Sequence, residues 1–404
     1  MTLDVTPAAA AFIDQENRFG AHNYHPLDVV CTQGRGVFLT DVDGKDYMDF
    51  LAAYSAVNQG HNHPRIAEAM IRQVRRLSLT SRAFRNDQFP PLLEKLCRLT
   101  GFDKALLMNS GAEAVETALK AMRKWGYDRK GIEYPKAEII VADGNFHGRT
   151  TTIVGFSTDP DSTSRFGPFT PGFRIVPYGD LQAVREAITP NTCAIFMEPI
   201  QGEGGVIIPP AGFLRGLREL ADRNRCLLVL DEIQSGLGRT GKLFAFEHEG
   251  IRPDGVTIGK ALSGGFYPVS AFLATGEVME VFTPGIHGST YGGNPLACAV
   301  ASAALDVLVD ERLVENAAEL GAHLRHRLET MRTDKLAEVR VIGLWAGVQL
   351  KPEAGGARKY CYLLKDRGML CKDTHVDTIR LAPPLVITKD QIDWAVDQLE
   401  AVLG

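Results

Sequence analysis

Between residues 104 and 259 the chain alternates short apolar runs with stretches of helical period. The runs at 104–108 (KALLM), 138–142 (EIIVA), 173–176, 193–198 (CAIFME), 226–231 (CLLVLD) and 255–259 (GVTIG) read as strands. Helices are expected over 112–124, 181–188 and 212–224. This alternation predicts a mainly parallel sheet covered on both faces. Ligands of such sheets sit at the carboxyl ends of strands. Glu198, Asp231 and Lys260 each follow an apolar run directly, so they fall where a ligand would lie.

After Pro295 a helical pattern runs to about residue 333, then a strand-like stretch at 339–348 and a helix near 359–367. A strand at 378–382 and a helix at 389–403 close the chain, giving a smaller α/β domain. A strand-turn stretch at 36–50, with Asp43-Gly44 as its hairpin turn, is expected to pack with that domain.

Composition narrows the class of protein. The chain has 404 residues, 45% hydrophobic and 23% charged, which is ordinary for a globular protein. A net charge of −5 gives no basic surface to hold nucleic acid or an anionic membrane. The seven cysteines are odd in number, widely spaced and free of C-x-x-C, which points to a reducing compartment. Residues 1–18 include Asp4, Asp14 and Glu16 with a single arginine, unlike a secretory or transit peptide. No apolar run is long enough to cross a bilayer. The expectation is a cytoplasmic protein acting on small molecules.

Candidate chemistry centres on the strand ends. Lys260 lies between Gly259 and a Gly-rich turn. A lysine there can have its pKa lowered and its amine made nucleophilic toward carbonyls. The alternative is a surface lysine at a turn. Asp231 ends the run 226–231. Pyridoxal phosphate needs such an acid, because an ionised carboxylate keeps the pyridine nitrogen protonated. The alternative is a helix N-cap. Asn109-Ser110-Gly111-Ala112-Glu113 follows a strand and opens a helix, which suits phosphate, a capping box, or both. In Asn145-Phe146-His147-Gly148-Arg149, the aromatic can stack on a flat ring and the arginine can fork a carboxylate. The hydroxyls of 287–295, Ser289 and Thr290 among them, suit a second phosphate contact. His61-Asn62-His63 lacks further ligands at metal spacing, so no metal is expected. No G-x-G-x-x-G opens a helix, which disfavours a dinucleotide.

Together, Asn109 to Glu113, Phe146 to Arg149, Glu198 to Glu203, Leu230 to Gly241 and Gly259-Lys260 resemble the class III (ω-amino acid) aminotransferases of fold type I, over nearly the whole chain. Within that family, 22–27, 54–60, 264–270, 287–294 and 379–386 are most similar to the branch that acts on the δ-amine of ornithine. His147 departs from some of that branch, which carry Trp there. The resemblance implies a seven-stranded, mainly parallel sheet in a large domain at 55–302, a segment at 1–54 and a small domain at 303–404. It implies pyridoxal 5'-phosphate on Lys260 as a Schiff base and Asp231 at the pyridinium. Ser110, Gly111 and Ala112 would hold phosphate with Ser289 and Thr290 from the other subunit of a homodimer. Phe146 would stack on the ring and Gln234 would contact its hydroxyl. Tyr24 and Arg149 would hold ornithine's carboxylate, Tyr54 would favour its far end, and Glu203 would pair with Arg380 until 2-oxoglutarate binds. The implied reaction converts ornithine and 2-oxoglutarate to glutamate 5-semialdehyde and glutamate, in the exchange that joins arginine metabolism to proline biosynthesis.

The nearest alternative is a class III enzyme using N-acetylornithine, 4-aminobutyrate or lysine, against which Tyr24 and Tyr54 speak. A non-catalytic binding protein on the same fold would need neither Lys260 nor Asp231. A hydride-transfer enzyme would need the missing glycine fingerprint.

Overall fold

All six apolar runs at 104–259 form strands of one sheet. The computed structural model describes residues 5–404. Residues 1–4, Asp4 included, lie outside the described part of the expected 1–54 segment. An N-terminal hairpin region contributes β1 (Cys31–Arg35), β2 (Phe38–Asp41) and β3 (Asp46–Asp49). The central sheet is built from β4 (Lys104–Met108), β5 (Glu138–Ala142), β6 (Phe173–Val176), β7 (Thr192–Met197), β8 (Leu227–Asp231), β9 (Gly255–Ile258) and β10 (Ser270–Ala274). Its order is β4-β10-β9-β8-β7-β5-β6. Six strands run parallel, and β10 runs against both its neighbours. The connection from β9 to β10, residues 259–269, has no crossover α-helix, only the short turn Lys260–Ser263 and an irregular stretch, and such a link joins antiparallel strands.

The pleat explains why these strands read as unbroken apolar runs. Ile139, Val141, Phe196, Leu227 and Val229 enter one core cluster, under the helix Gly111–Trp125. Ile140, Ala142, Ile195, Met197, Leu228 and Leu230 enter the other, under the helices Phe213–Arg223 and Pro295–Asp310. Alternate side chains point to opposite faces, and both faces are covered.

The small domain differs in detail from the sequence expectation. The stretch read as one strand at 339–348 is a hairpin, β11 (Leu336–Ile342) and β12 (Trp345–Leu350), turned at Gly343 with φ 55°. The long helical pattern splits into Pro295–Asp310 and Leu313–Glu329, broken where Arg312 adopts φ 52°. The expected division at 302/303 falls inside the first of these helices, which packs on Pro64–Val74 and Phe89–Thr100. After β13 (Met369–Leu370), β14 (Lys372–Thr374) and β15 (Thr378–Leu381) complete the sheet β11-β12-β15-β14. β13 pairs in parallel with β3, so the 36–50 hairpin joins this end of the molecule as expected.

Candidate active site

The carboxyl ends of β7, β8 and β9 lie side by side and deliver Glu198, Asp231 and Lys260 to one place. A cavity of about 200 Å³ opens there, lined by Gly111, Ala112, Phe146, Glu198, Asp231, Gln234 and Lys260 among others. Lys260 takes φ 44°, a left-handed conformation that turns the chain sharply out of β9. Burial is the largest influence on its amine and pushes it below the usual lysine value; Glu203 opposes this and Arg380 adds to it.

Asp231 is held from three sides. Thr257 donates to one carboxylate oxygen at 2.9 Å and the Ile233 N–H to the same oxygen at 3.1 Å. His147 Nδ1 lies 2.7 Å from the other oxygen. The imidazole is buried against Phe196, with ring centroids 4.3 Å apart. Glu198 accepts the Phe146 N–H at 3.0 Å and the Gly202 N–H at 3.4 Å. Burial pushes its carboxyl up to about 7.

Gly111 and Ala112 open the helix Gly111–Trp125 toward the cavity, where first-turn amides have no partner within the helix. Ser110 is committed to the capping box: its hydroxyl accepts the Glu113 N–H, and its own N–H donates to Glu113 at 2.7 Å. A side chain at Gly111 would meet Ile233 at 3.1 Å, so the glycine keeps this approach open. Ser289 accepts from Asn109 at 3.0 Å, while Thr290 is exposed and lines no part of the cavity in this chain.

A wider cleft of about 640 Å³ shares Phe146, His147 and Gly148 with the cavity and is also lined by Arg149 and Glu203. Arg149 makes no ion pair among the described residues; its guanidinium lies 5.6 Å from the Phe146 ring. Arg380 is buried and pairs with Glu203 at 2.8 Å, with the Tyr54 ring 4.8 Å away. Burial alone would raise the Glu203 carboxyl, but Arg380 holds it below the usual carboxylate value. Tyr24 is exposed and lines a second pocket with Tyr54, which adjoins the cleft through Lys372 and Asp373.

Two features of the site carry no sequence signal. Residues Ala52, Ala53, Tyr54 and Ser55 all take positive φ, 47°, 47°, 60° and 66°, without a glycine. Such a left-handed turn costs about 1–2 kcal/mol per residue. Asp49 anchors its start by accepting the Leu51 and Ala52 N–H groups at 2.8 and 3.0 Å. His61 sits on that same carboxylate at 2.7 Å and His63 on Glu311 at 3.0 Å. The second feature is His147 itself, whose partner lies on a distant strand. A loop histidine has no periodicity to reveal it.

The arrangement fits pyridoxal phosphate. Buried Gln234 Nε2 and His147 Nε2 have no partner, and both residues line the cavity with the lysine amine. The family model for aminotransferase class-III matches residues 19–403. An ornithine aminotransferase of Bordetella pertussis is 59% identical over 398 residues, 98% of this chain and 97% of that one. The ornithine aminotransferase of Toxoplasma gondii, crystallized with oxidized glutathione and partly occupied by PLP, superposes with TM-score 0.96. It is 43% identical and the match covers 98% of this chain and 94% of that one. An acetylornithine aminotransferase of Elizabethkingia anophelis superposes with TM-score 0.91 at 52% identity, covering 98% and 99%.

Proposed function

The chain belongs to the class III aminotransferases, and from that membership we propose that it moves the δ-amino group of L-ornithine to 2-oxoglutarate. The products are glutamate 5-semialdehyde, which cyclises to pyrroline-5-carboxylate, and L-glutamate. Pyridoxal phosphate, when bound, supplies the carbonyl that takes up the amino group and the electron sink for the carbon beside it. In our reading Lys260 would hold the cofactor covalently, and its amine would serve as the acid and base beside it. Burial lowers the proton affinity of its amine, which favours the free-base form. Asp231, oriented by Thr257 and His147, keeps the ring nitrogen protonated. Phe146 would stack on the ring, and Gln234 would offer its orphaned amide to the ring hydroxyl. Gly111 and Ala112 would hold the phosphate from one side, beside the cap at Ser110, and Ser289 and Thr290 of the partner subunit would hold it from the other.

One observation carries the choice of ornithine: two arginines reach the same site in opposite states. Arg380 is answered by Glu203 at 2.8 Å, whereas Arg149 has no ion pair among the described residues. An ω-amine donor with its carboxylate on Arg149 and Tyr24 presents its far end to Lys260, and Tyr54 closes the near side. 2-Oxoglutarate then takes Arg380 from Glu203 with its own carboxylate. The named relatives at 50–59% identity support the same donor. The Elizabethkingia neighbour favours a second reading, N-acetylornithine, in which the α-nitrogen is capped.

We place the enzyme in the cytoplasm as a homodimer, within arginine and proline metabolism. The seven cysteines, odd in number, widely spaced and free of C-x-x-C, suit a reducing compartment. No helix among the described residues is long and apolar enough to cross a membrane. The test offers the holoenzyme ornithine, N-acetylornithine, 4-aminobutyrate and lysine in turn and follows loss of the cofactor absorbance. Ornithine should react fastest; a faster N-acetylornithine would overturn the donor.

A further inference from the structure

Arg239 is a charged side chain with no exposed surface and no carboxylate in contact among the described residues. Its Nη1 donates to the Leu344 carbonyl at 2.8 Å and the Pro383 carbonyl at 2.7 Å; its Nη2 donates to Asn58 Oδ1 at 2.5 Å. Its Nε has no partner. Burial pushes the guanidinium down to about 9, with Asp49 the one charge that opposes the shift. A buried cation on neutral acceptors is costly, and a hydrophobic residue of similar size would fill the space at lower cost. What the arginine adds is a rigid planar fork that holds several acceptors at fixed angles.

The three acceptors sit on three segments, and each segment leads to a residue of the carboxylate gate. Pro383 follows Arg380 at the exit of β15. Leu344 precedes Trp345, whose ring is packed so tightly on Gly202 that an added Cβ there would lie 2.8 Å from it; Glu203 comes next in the chain. Asn58 follows the left-handed turn that carries Tyr54. Two backbone bonds and one from a side chain tighten the same knot: Leu344 N–H to Arg239 O at 3.2 Å, Leu385 N–H to Asn58 O at 2.8 Å, and Asn58 Nδ2 to Leu237 O at 3.0 Å. Gly343 lies against it so closely that a Cβ would come within 2.4 Å of the Thr240 carbonyl carbon.

We propose that Arg239 is a positioning residue for substrate discrimination, setting the mutual register of Arg380, Glu203 and Tyr54 without touching substrate. The proposal rests on the gate described above. The fork itself makes no bond to Lys260 or to the phosphate-binding amides; the link on that side is Gln59, which donates to the Ala261 carbonyl at 3.1 Å and is retained in both variants, so loss of the fork should disturb carboxylate recognition and spare the lysine chemistry. Recognition of this kind is sensitive to displacement: a shift near 1 Å can cost about 100-fold.

The test compares Arg239→Lys and Asn58→Ala with the unmodified holoenzyme. Cofactor content is read by absorbance, and each half-reaction by single-turnover kinetics with ornithine and with glutamate. Lysine keeps the charge but cannot fork, and Asn58→Ala removes one acceptor and leaves the arginine. At full cofactor content, apparent affinity for glutamate and 2-oxoglutarate should fall about tenfold or more. The maximal rate with ornithine should stay within about threefold, since the bonds around Lys260 and Asp231 are untouched. Equal loss in both half-reactions, or no loss in either, overturns the proposal. If Arg239→Lys does not fold, the Asn58→Ala comparison decides alone by the same criterion. Unmodified enzyme that ignores ornithine would instead sink the donor assignment, and the comparison is then made with the ω-amine it does accept.

Discussion

Replacing Glu203 with alanine should weaken the preference for ornithine over glutamate as amino donor. The wild-type pair is short, 2.8 Å, and Arg380 is 1% exposed against 31% for Glu203. Without the carboxylate, the guanidinium keeps only the Gly202 carbonyl at 3.4 Å and the Tyr54 ring face at 4.8 Å. It then becomes the strongest unanswered cation beside Lys260 and attracts ornithine's α-carboxylate, which presents the wrong amine. A charge-assisted hydrogen bond is worth about 1.5–3 kcal/mol, or roughly ten- to a hundredfold. Because Glu203 is partly exposed, solvent screening places the expected change near the lower end, about tenfold. The substitution should leave the loop in place, because Thr374 anchors it through the Glu203 backbone carbonyl, which alanine retains. The assay is single-turnover kinetics with ornithine and with glutamate, compared as a ratio. The ratio should move toward glutamate by about tenfold. If both rates fall together and the ratio is unchanged, Glu203 merely supports its loop and the gate reasoning is wrong.

Three further outcomes follow from the site. Lys260→Ala should abolish covalent retention of the cofactor, and borohydride reduction of the wild type should leave a pyridoxyl group on the Lys260 peptide; an adduct on another lysine would displace Lys260 from its role. Mixing inactive Lys260→Ala with inactive Thr290→Ala should restore activity, because a mixed dimer contains one site with neither lesion, whereas a fully active monomer in sedimentation would rule out shared sites. Gly202→Ala should lower cofactor affinity, since its Cβ would lie 1.9 Å from Gln234 Oε1 and force that side chain off the ring; wild-type affinity would show that Gln234 is not needed there.

Much of the architecture was legible because strands covered on both faces are apolar at every position. The runs ending at Met108, Ala142, Met197 and Asp231 could be bounded to within a residue or two for that reason. β10 was not read, because Ser270–Ala274 follows a Gly-rich turn with no helix before it. The β11–β12 hairpin read as one strand because only Gly343 and Leu344 separate its two apolar arms. In the site, Asp231 and Lys260 stood out as charges that end apolar runs. The Glu203–Arg380 pair spans 177 positions and has no local pattern; its expectation came from resemblance. The contacts of His147, the left-handed turn at Tyr54 and the Arg239 knot were invisible to the sequence, since each depends on partners brought together only by folding.

The central claim is that the δ-nitrogen of ornithine, and not its α-nitrogen, passes to 2-oxoglutarate. Ornithine labelled with heavy nitrogen at one position or the other decides it by mass spectrometry of the glutamate formed. Label at the δ position should appear in glutamate, and label at the α position should remain in the pyrroline-5-carboxylate. Glutamate carrying the α label would contradict the roles given to Arg149, Tyr54 and the Glu203–Arg380 gate together.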